Sequence, residues 1–229
     1  MMTAIPWRKF PWLDSDFARA RWMYIFGLAY LLVGYLGTNE LAALNPWHRP
    51  SLPIGTAFDR AIPFVPWTCV FYIMYYPLLG TPLLFAKDAI SLTRLTIAQT
   101  VMNTFSYVIF LLYPTPIDRP TSLEPGPFYY ALDALFRADH PFNTFPSLHV
   151  AQACILAFFF FRYEAKWSFS DANSNLIGLP KTMWIFHTVS AALIAASALM
   201  IKQHYIADAA SGLLLAYLMS LIFFRTLRP

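Results

Sequence analysis

The sequence predicts an all-α fold, a bundle of six transmembrane helices forming one membrane-embedded domain over residues 1–229, with residues 1–21 as an interfacial, cytoplasmic segment. Three observations predict it. Of the 229 residues, 58% are hydrophobic and only 12% charged, and the mean hydropathy is +0.50, outside the range of soluble domains. Charged residues cut the chain into apolar blocks near the ~20 residues that a spanning helix needs. No block alternates as barrel strands do, and in lipid a backbone must satisfy its own hydrogen bonds, which leaves helices.

The blocks follow in order. The first covers residues 22–38 and is short for a span; the second lies between Arg60 and Lys87, and the third between Arg94 and Asp118. The fourth runs over 147–161, ending before Arg162, the fifth lies between Lys181 and Lys202, and the sixth covers 205–224. The length leaves no room for a soluble partner domain, and no short apolar region with a cleavage site opens the chain. Six spans put eleven Lys and Arg on one side: Arg8, Lys9, Arg19, Arg21, Lys87, Arg94, Arg162, Lys166, Lys181, Arg225 and Arg228. Arg49, Arg60, Arg119, Arg137 and Lys202 make five on the other. The positive-inside rule therefore predicts cytoplasmic termini, with the first, third and fifth loops on the non-cytoplasmic side. The net charge of +4 reads as topology and not as a nucleic-acid footprint. Cys69 and Cys154 fall in apolar segments and read as packed thiols.

Ionisable groups in or beside spans need a reason. His149 opens the fourth span, His187 lies within the fifth, and His204 and Asp208 open the sixth. His204 and Asp208 are four apart, so a helix puts them on one face, a turn from each other. A carboxylate there can accept one imidazole proton, fix the tautomer and leave the other nitrogen as a nucleophile or base. The predicted topology brings His149 and His204 to the same membrane face. In Asn143-Thr-Phe-Pro-Ser-Leu-His149, Pro146 and Ser147 suit a helix start whose free amides and dipole favour phosphate. Arg119 and Lys202 lie on that side and can supply charge to phosphate oxygens.

Blander readings stand beside these. His187 has no acid three or four positions away and reads as a satisfied interior histidine; His48 and His140 read as solvated loop residues. For His204 with Asp208 the alternative to chemistry, which is modestly favoured, is a structural hydrogen bond tying the sixth span to its neighbours. A metal site on His149, His204 and Asp208 is chemically permissible, but no HExxH or clustered Cys/His spacing supports it, so no metal and no cofactor is expected.

Phe145-Pro-Ser-Leu-His149, followed by Lys202-Gln-His-Tyr-Ile-Ala-Asp208, resembles the type 2 phosphatidic acid phosphatase superfamily. In that family Pro-Ser-x-His precedes Ser-Arg-x5-His-x3-Asp, and a Lys-x6-Arg-Pro motif comes first. The resemblance covers residues 113–212 and implies a six-helix membrane enzyme. It implies that His204 attacks phosphorus, that Asp208 orients it, that His149 protonates the leaving alcohol and that Ser147 binds phosphate oxygens. The first motif maps onto Arg119-Pro120; Lys87 and Arg94 share its spacing but fall on the cytoplasmic side. Two cations are missing: Leu112 stands where the family has lysine and Ala198 where it has arginine, with Lys202 as a partial substitute. The thinned charge points to a phosphodiester in place of a terminal phosphate. The sequence is also similar to the subgroup of inositol phosphorylceramide synthase and sphingomyelin synthase, which move a phospho-headgroup between lipids.

The expected partners are thus the membrane and a phosphate-bearing lipid, with a lipid alcohol as a second substrate if the reaction is transfer. Two other classes remain open: a transporter that uses the His/Asp cluster as a proton relay, and a catalytically weak scaffold. Between the third and fourth spans, Phe128, Leu132, Leu135 and Phe136 share a helical face with Asp133 opposite. That segment reads either as an interfacial gate toward His149 or as a loop helix packed on the bundle.

Overall fold

The computed structural model describes residues 15–44, 54–120, 122–170 and 183–225, the side chains of 164–170 excepted. Arg8, Lys9, His48, Arg49, Lys181 and Arg228, and the side chain of Lys166, lie outside the described residues. Helix α1 spans Asp16–Leu44, and a short α2 (Ala57–Ala61) follows. A 3-10 turn at Pro66–Thr68 leads into α3 (Cys69–Ile73) and α4 (Tyr75–Phe85), which together form one span. Then come α5 (Ala89–Leu112), a loop helix α6 (Tyr129–Ala138), α7 (Leu148–Ser170), α8 (Met183–Met200) and α9 (Ile206–Phe223).

Five of these elements are long and apolar enough to cross a membrane: α1, the α3–α4 unit, α5, α8 and α9. The chain is a multi-pass membrane protein. The expected six spans are not matched in full. The described apolar part of α7, Leu148–Tyr163, is shorter than a span, and it sits at the centre of the bundle. Helices α8 and α9 pack along it, and α4 and α5 cover it further. Val150, Ala151, Ala153, Ile155, Leu156, Phe159 and Phe160 are all buried, while Phe161 is exposed, so most of the described part of α7 is covered by its neighbours.

Helix ends also differ from the charge-bounded blocks. Helix α1 begins six residues earlier, because Arg19 pairs with Asp16 one turn away and Arg21 lies 5.8 Å from the Phe17 ring; long cationic side chains reach the interface from inside a helix. Arg94 sits within α5, whose start is fixed by Asp88 Oδ1 accepting from Ser91 N at 2.8 Å. Glycine appears where helices touch: at Gly34 a Cβ would strike the Tyr107 ring, and at Gly212 it would strike Ser147 O. Deep in the bundle, Gln99 Nε2 donates to Gln152 Oε1 (2.7 Å) and Gln152 Nε2 to Asn103 Oδ1 (2.6 Å), a polar tie between α5 and α7 of the kind that joins helices in lipid.

Helix α6 is the segment read from its spacing, and it packs. Leu132 is buried against Cys69, Tyr72, Ala198 and Ile201, with Phe128, Leu135 and Phe136 around it. Leu132 is therefore a structural contact and not a free gate residue. The loops flanking α6 are pinned to each other: Thr115 N donates to Phe142 O (2.9 Å) and Ile117 N to Pro141 O (3.1 Å).

Candidate active site

One end of the bundle gathers the N-terminus of α7, the α8–α9 turn, the C-terminal part of α1, α3 and the two pinned loops. Helix α8 ends at Met200 and Lys202 takes a left-handed conformation, φ 57°. The amides of Gln203 and His204 then both donate to Ala198 O, at 2.9 and 3.1 Å. This is how a helix closes when one residue turns left-handed, and the turn delivers His204 into the bundle just before α9 starts.

His204 Nδ1 lies 3.1 Å from Thr144 O and 3.5 Å from Asp208 Oδ2. A carbonyl only accepts, so Nδ1 carries the proton and Nε2 keeps its lone pair. The tautomer is therefore set first by Thr144, which the sequence reading missed because a backbone carbonyl leaves no residue signature. Thr144 is held in turn by its hydroxyl on Thr115 O at 2.7 Å. Asp208 is fully buried; its Oδ2 accepts from Tyr205 N at 2.7 Å at the start of α9, and its carboxylate lies beside the ring.

The His149 ring centroid is 6.0 Å from that of His204, so the two histidines do share one site. His149 Nδ1 is 2.9 Å from the Tyr72 hydroxyl, with the rings stacked at 4.3 Å. The Tyr75 ring lies 4.6 Å away on another side. Ser147 acts as a helix cap: its Oγ accepts from Val150 N at 3.3 Å, and its own amide donates to Asp208 O at 3.0 Å.

Arg119 enters from the loop after α5. Its guanidinium donates to Asp139 O and to Gln203 Oε1, both at 2.5 Å, stacks over Phe136 at 4.9 Å and lies 3.7 Å from Asp139 Oδ2. Asp139 Oδ1 also accepts from Tyr35 OH (2.6 Å) and Asn39 Nδ2 (3.2 Å). Burial raises the Asp139 pKa and lowers that of Arg119, each opposed by the other's charge. Lys202 lines the same polar recess as Arg119. Its ammonium donates to Asp59 O (2.9 Å) and Ile62 O (2.5 Å) at the end of α2, because the left-handed turn swings the side chain toward carbonyls that attract a cation. Asp59 Oδ1 answers by accepting from Ile206 N at 2.7 Å, so α2 and the α8–α9 turn clamp each other.

His187 sits apart from this cluster. Its ring nitrogens meet Thr81 Oγ1 (2.9 Å) and Met183 O (2.8 Å), and its ring stacks on Phe160. His140 Nε2 lies 3.4 Å from Glu40 Oε1. Among the described residues no group of three or more His, Cys, Asp or Glu could hold a metal ion.

Among the described residues, several of the buried polar atoms without a hydrogen-bond partner belong to the residues of this end of the bundle: His149 Nε2, Arg119 Nε, Gln203 Nε2 and Asp208 Oδ1. Buried polar groups are nearly always satisfied, so such a cluster marks a place built for a ligand. An apolar cavity of about 510 Å³ runs from His149 between α1 and α4. On the other side of Arg119, a polar recess of about 500 Å³ is lined by Thr56, Arg60, Asp118 and Tyr205 among others.

The PAP2 superfamily description matches residues 22–229. The chain belongs to the PAP2 superfamily. That match covers every element from within α1 onward and includes the whole site. No curated protein and no solved structure matches the chain. Membership in the PAP2 superfamily points to phosphatase or phosphotransferase chemistry. Within this PAP2 protein, Asp139, Gln203, Tyr35 and Tyr72 join the site without a sequence signal of their own: two tyrosines in apolar blocks, and an acid and an amide in loops.

Proposed function

We propose that this PAP2 protein cleaves or transfers the phospho-headgroup of a membrane lipid through a phosphohistidine at His204. The carrying observation is that His149, 6.0 Å from His204 ring to ring, and the bonded pair Arg119–Gln203 each keep a buried donor with no partner among the described residues: His149 Nε2, Arg119 Nε and Gln203 Nε2. Phosphate oxygens supply the acceptors those atoms lack.

The reaction is a double displacement. The Nε2 lone pair of His204 forms a bond to phosphorus while the bond from phosphorus to the leaving oxygen breaks. His149 acts as the imidazolium when the phosphate anion is bound: its Nδ1–H donates to the Tyr72 hydroxyl oxygen, and its Nε2 proton passes to the leaving oxygen, leaving neutral imidazole. In the second half, an incoming hydroxyl gives its proton to His149 Nε2, attacks phosphorus and releases His204. Asp208 stabilises the charge that His204 acquires. Arg119 and Gln203 hold the non-bridging oxygens.

The balance of charge favours a diester. Arg119 is paired with Asp139, and the Lys202 ammonium is held by carbonyls of α2, so few cationic donors are left for the extra charge of a dianion. A phosphodiester carries one negative charge and places its two substituents on opposite sides, one toward the apolar cavity and one toward the polar recess. This supports the headgroup-transfer subgroup over a terminal phosphatase. Purified protein should turn over a lipid diester at least about tenfold better than the matching monoester, one factor of ten being about 1.4 kcal/mol. Faster monoester hydrolysis would reverse the assignment.

The Asp139–Arg119 pair also sets a pH response. The Asp139 pKa is raised, so it takes up a proton above the usual carboxylate range as pH falls; Arg119 is then unopposed and anion binding tightens. A diester ligand keeps its own charge through that range. Its Kd should fall about tenfold on acidification, the scale of one unit charge about 12 Å away at an effective dielectric near 20. Asp139→Asn should show the tight Kd at every pH. A variant with the same pH slope as wild type would remove Asp139 from the account.

A further inference from the structure

We infer that the groove between α1 and α4 holds one hydrocarbon chain of a phospholipid, and that Gly80 sets how bulky a chain it admits. The inference rests on the lipid reading above and specifies where the lipid's tail lies. Leu28, Leu32 and Leu36 form one wall on α1, and Leu79 and Gly80 form the facing wall on α4. Leu135 and Ala138 of α6 close one side, and His149 stands at the inner end. The mouth carries exposed Leu32, Leu36 and Tyr76, side chains suited to lipid and not to water.

Size and depth agree with a single chain. A volume of about 510 Å³ holds about seventeen groups of water's ~30 Å³ share, enough for one tail and too few for two. From Leu28 to Leu36, eight residues of helix rise about 12 Å, less than half of the ~30 Å hydrocarbon core. The groove therefore opens to one leaflet, the one on the histidine side. A chain leaving the bilayer for this groove gains no hydrophobic driving force, since lipid is as apolar as leucine. What the groove contributes is aim: it sets the phosphorus between His149 and His204.

Gly80 is the adjustable point. A Cβ at Gly80 meets no atom within 4 Å, so a side chain there grows into the groove and displaces no packed neighbour. Gly37 on α1 is equally open but does not line the groove, which makes it a matched control for a bulky residue on a lipid-facing helix.

The test is photolabelling of the purified protein by a phospholipid with a diazirine in mid-chain, read by peptide mass, with turnover of long- and short-chain diesters measured in parallel. The wild type and Gly37→Phe should be labelled in peptides containing residues 28–36 and 75–80. Gly80→Phe should lose that label. Gly80→Phe should also lose about a hundredfold in kcat/KM on the long-chain diester, the scale of a 1 Å misplacement of reacting groups, and keep its short-chain rate. Labelling elsewhere, or labelling and long-chain turnover unchanged by Gly80→Phe, would overturn the groove. Labelling of these peptides by a wild type that turns over no diester would uphold the groove and refute the catalytic reading.

Discussion

His204→Ala abolishes turnover, by about 10⁶-fold, the scale on which a covalent nucleophile is lost. The loss should be in kcat, with binding of a diester ligand nearly unchanged, because Arg119, Gln203 and His149 remain in place. The substitution should be tolerated structurally. The His204 ring hydrogen-bonds Thr144 O, and the α8–α9 turn is held by backbone bonds to Ala198 O and by the Asp59 and Lys202 clamp. Steady-state rates beside an equilibrium Kd check this directly. A variant that retains more than a few per cent of wild-type kcat would remove the phosphohistidine step and move the protein toward the scaffold or transport readings.

His149→Asn should cost about 10²–10⁴-fold on a natural lipid, the range of general acid–base catalysis, and the loss should depend on the leaving group. An alkoxide needs the proton that His149 Nε2 supplies; a nitrophenolate leaves without one. With an aryl diester the penalty should therefore shrink to less than about tenfold in the first half-reaction. The position of the ring motivates the expectation. It is stacked on Tyr72, flanked by Tyr75, and its Nε2 has no partner at the end of the apolar cavity. Equal losses with both leaving groups would make His149 a binding residue and not the acid.

Much of this arrangement was legible in the chain. Asp208 four residues after His204, and Pro146-Ser147 before His149, are local patterns, and local patterns survive folding: both helix starts are where the residues placed them. The apolar face of α6 was legible for the same reason, although its spacing alone did not say whether the face meets lipid or protein. Span ends were misjudged at Arg19, Arg21 and Arg94 because charge was used as a boundary, while a long cationic side chain reaches the interface from inside a helix. The central position of α7 was not legible, since burial in protein and burial in lipid select the same side chains. What the sequence hid was non-local. Asp139 meets Arg119 twenty residues away, and Tyr72 meets His149 across 77. The Thr144 carbonyl that fixes His204 belongs to the backbone. Lys202 shows the converse: its charge was visible, but the left-handed turn that spends it on α2 was not.

The most direct test of the central claim is mass analysis of the rapidly quenched protein during turnover of a lipid diester. The account predicts one acid-labile, base-stable phospho adduct, carried by the peptide that contains His204 and absent from His204→Ala. Turnover with no adduct on His204, or with an adduct on another residue, would contradict it.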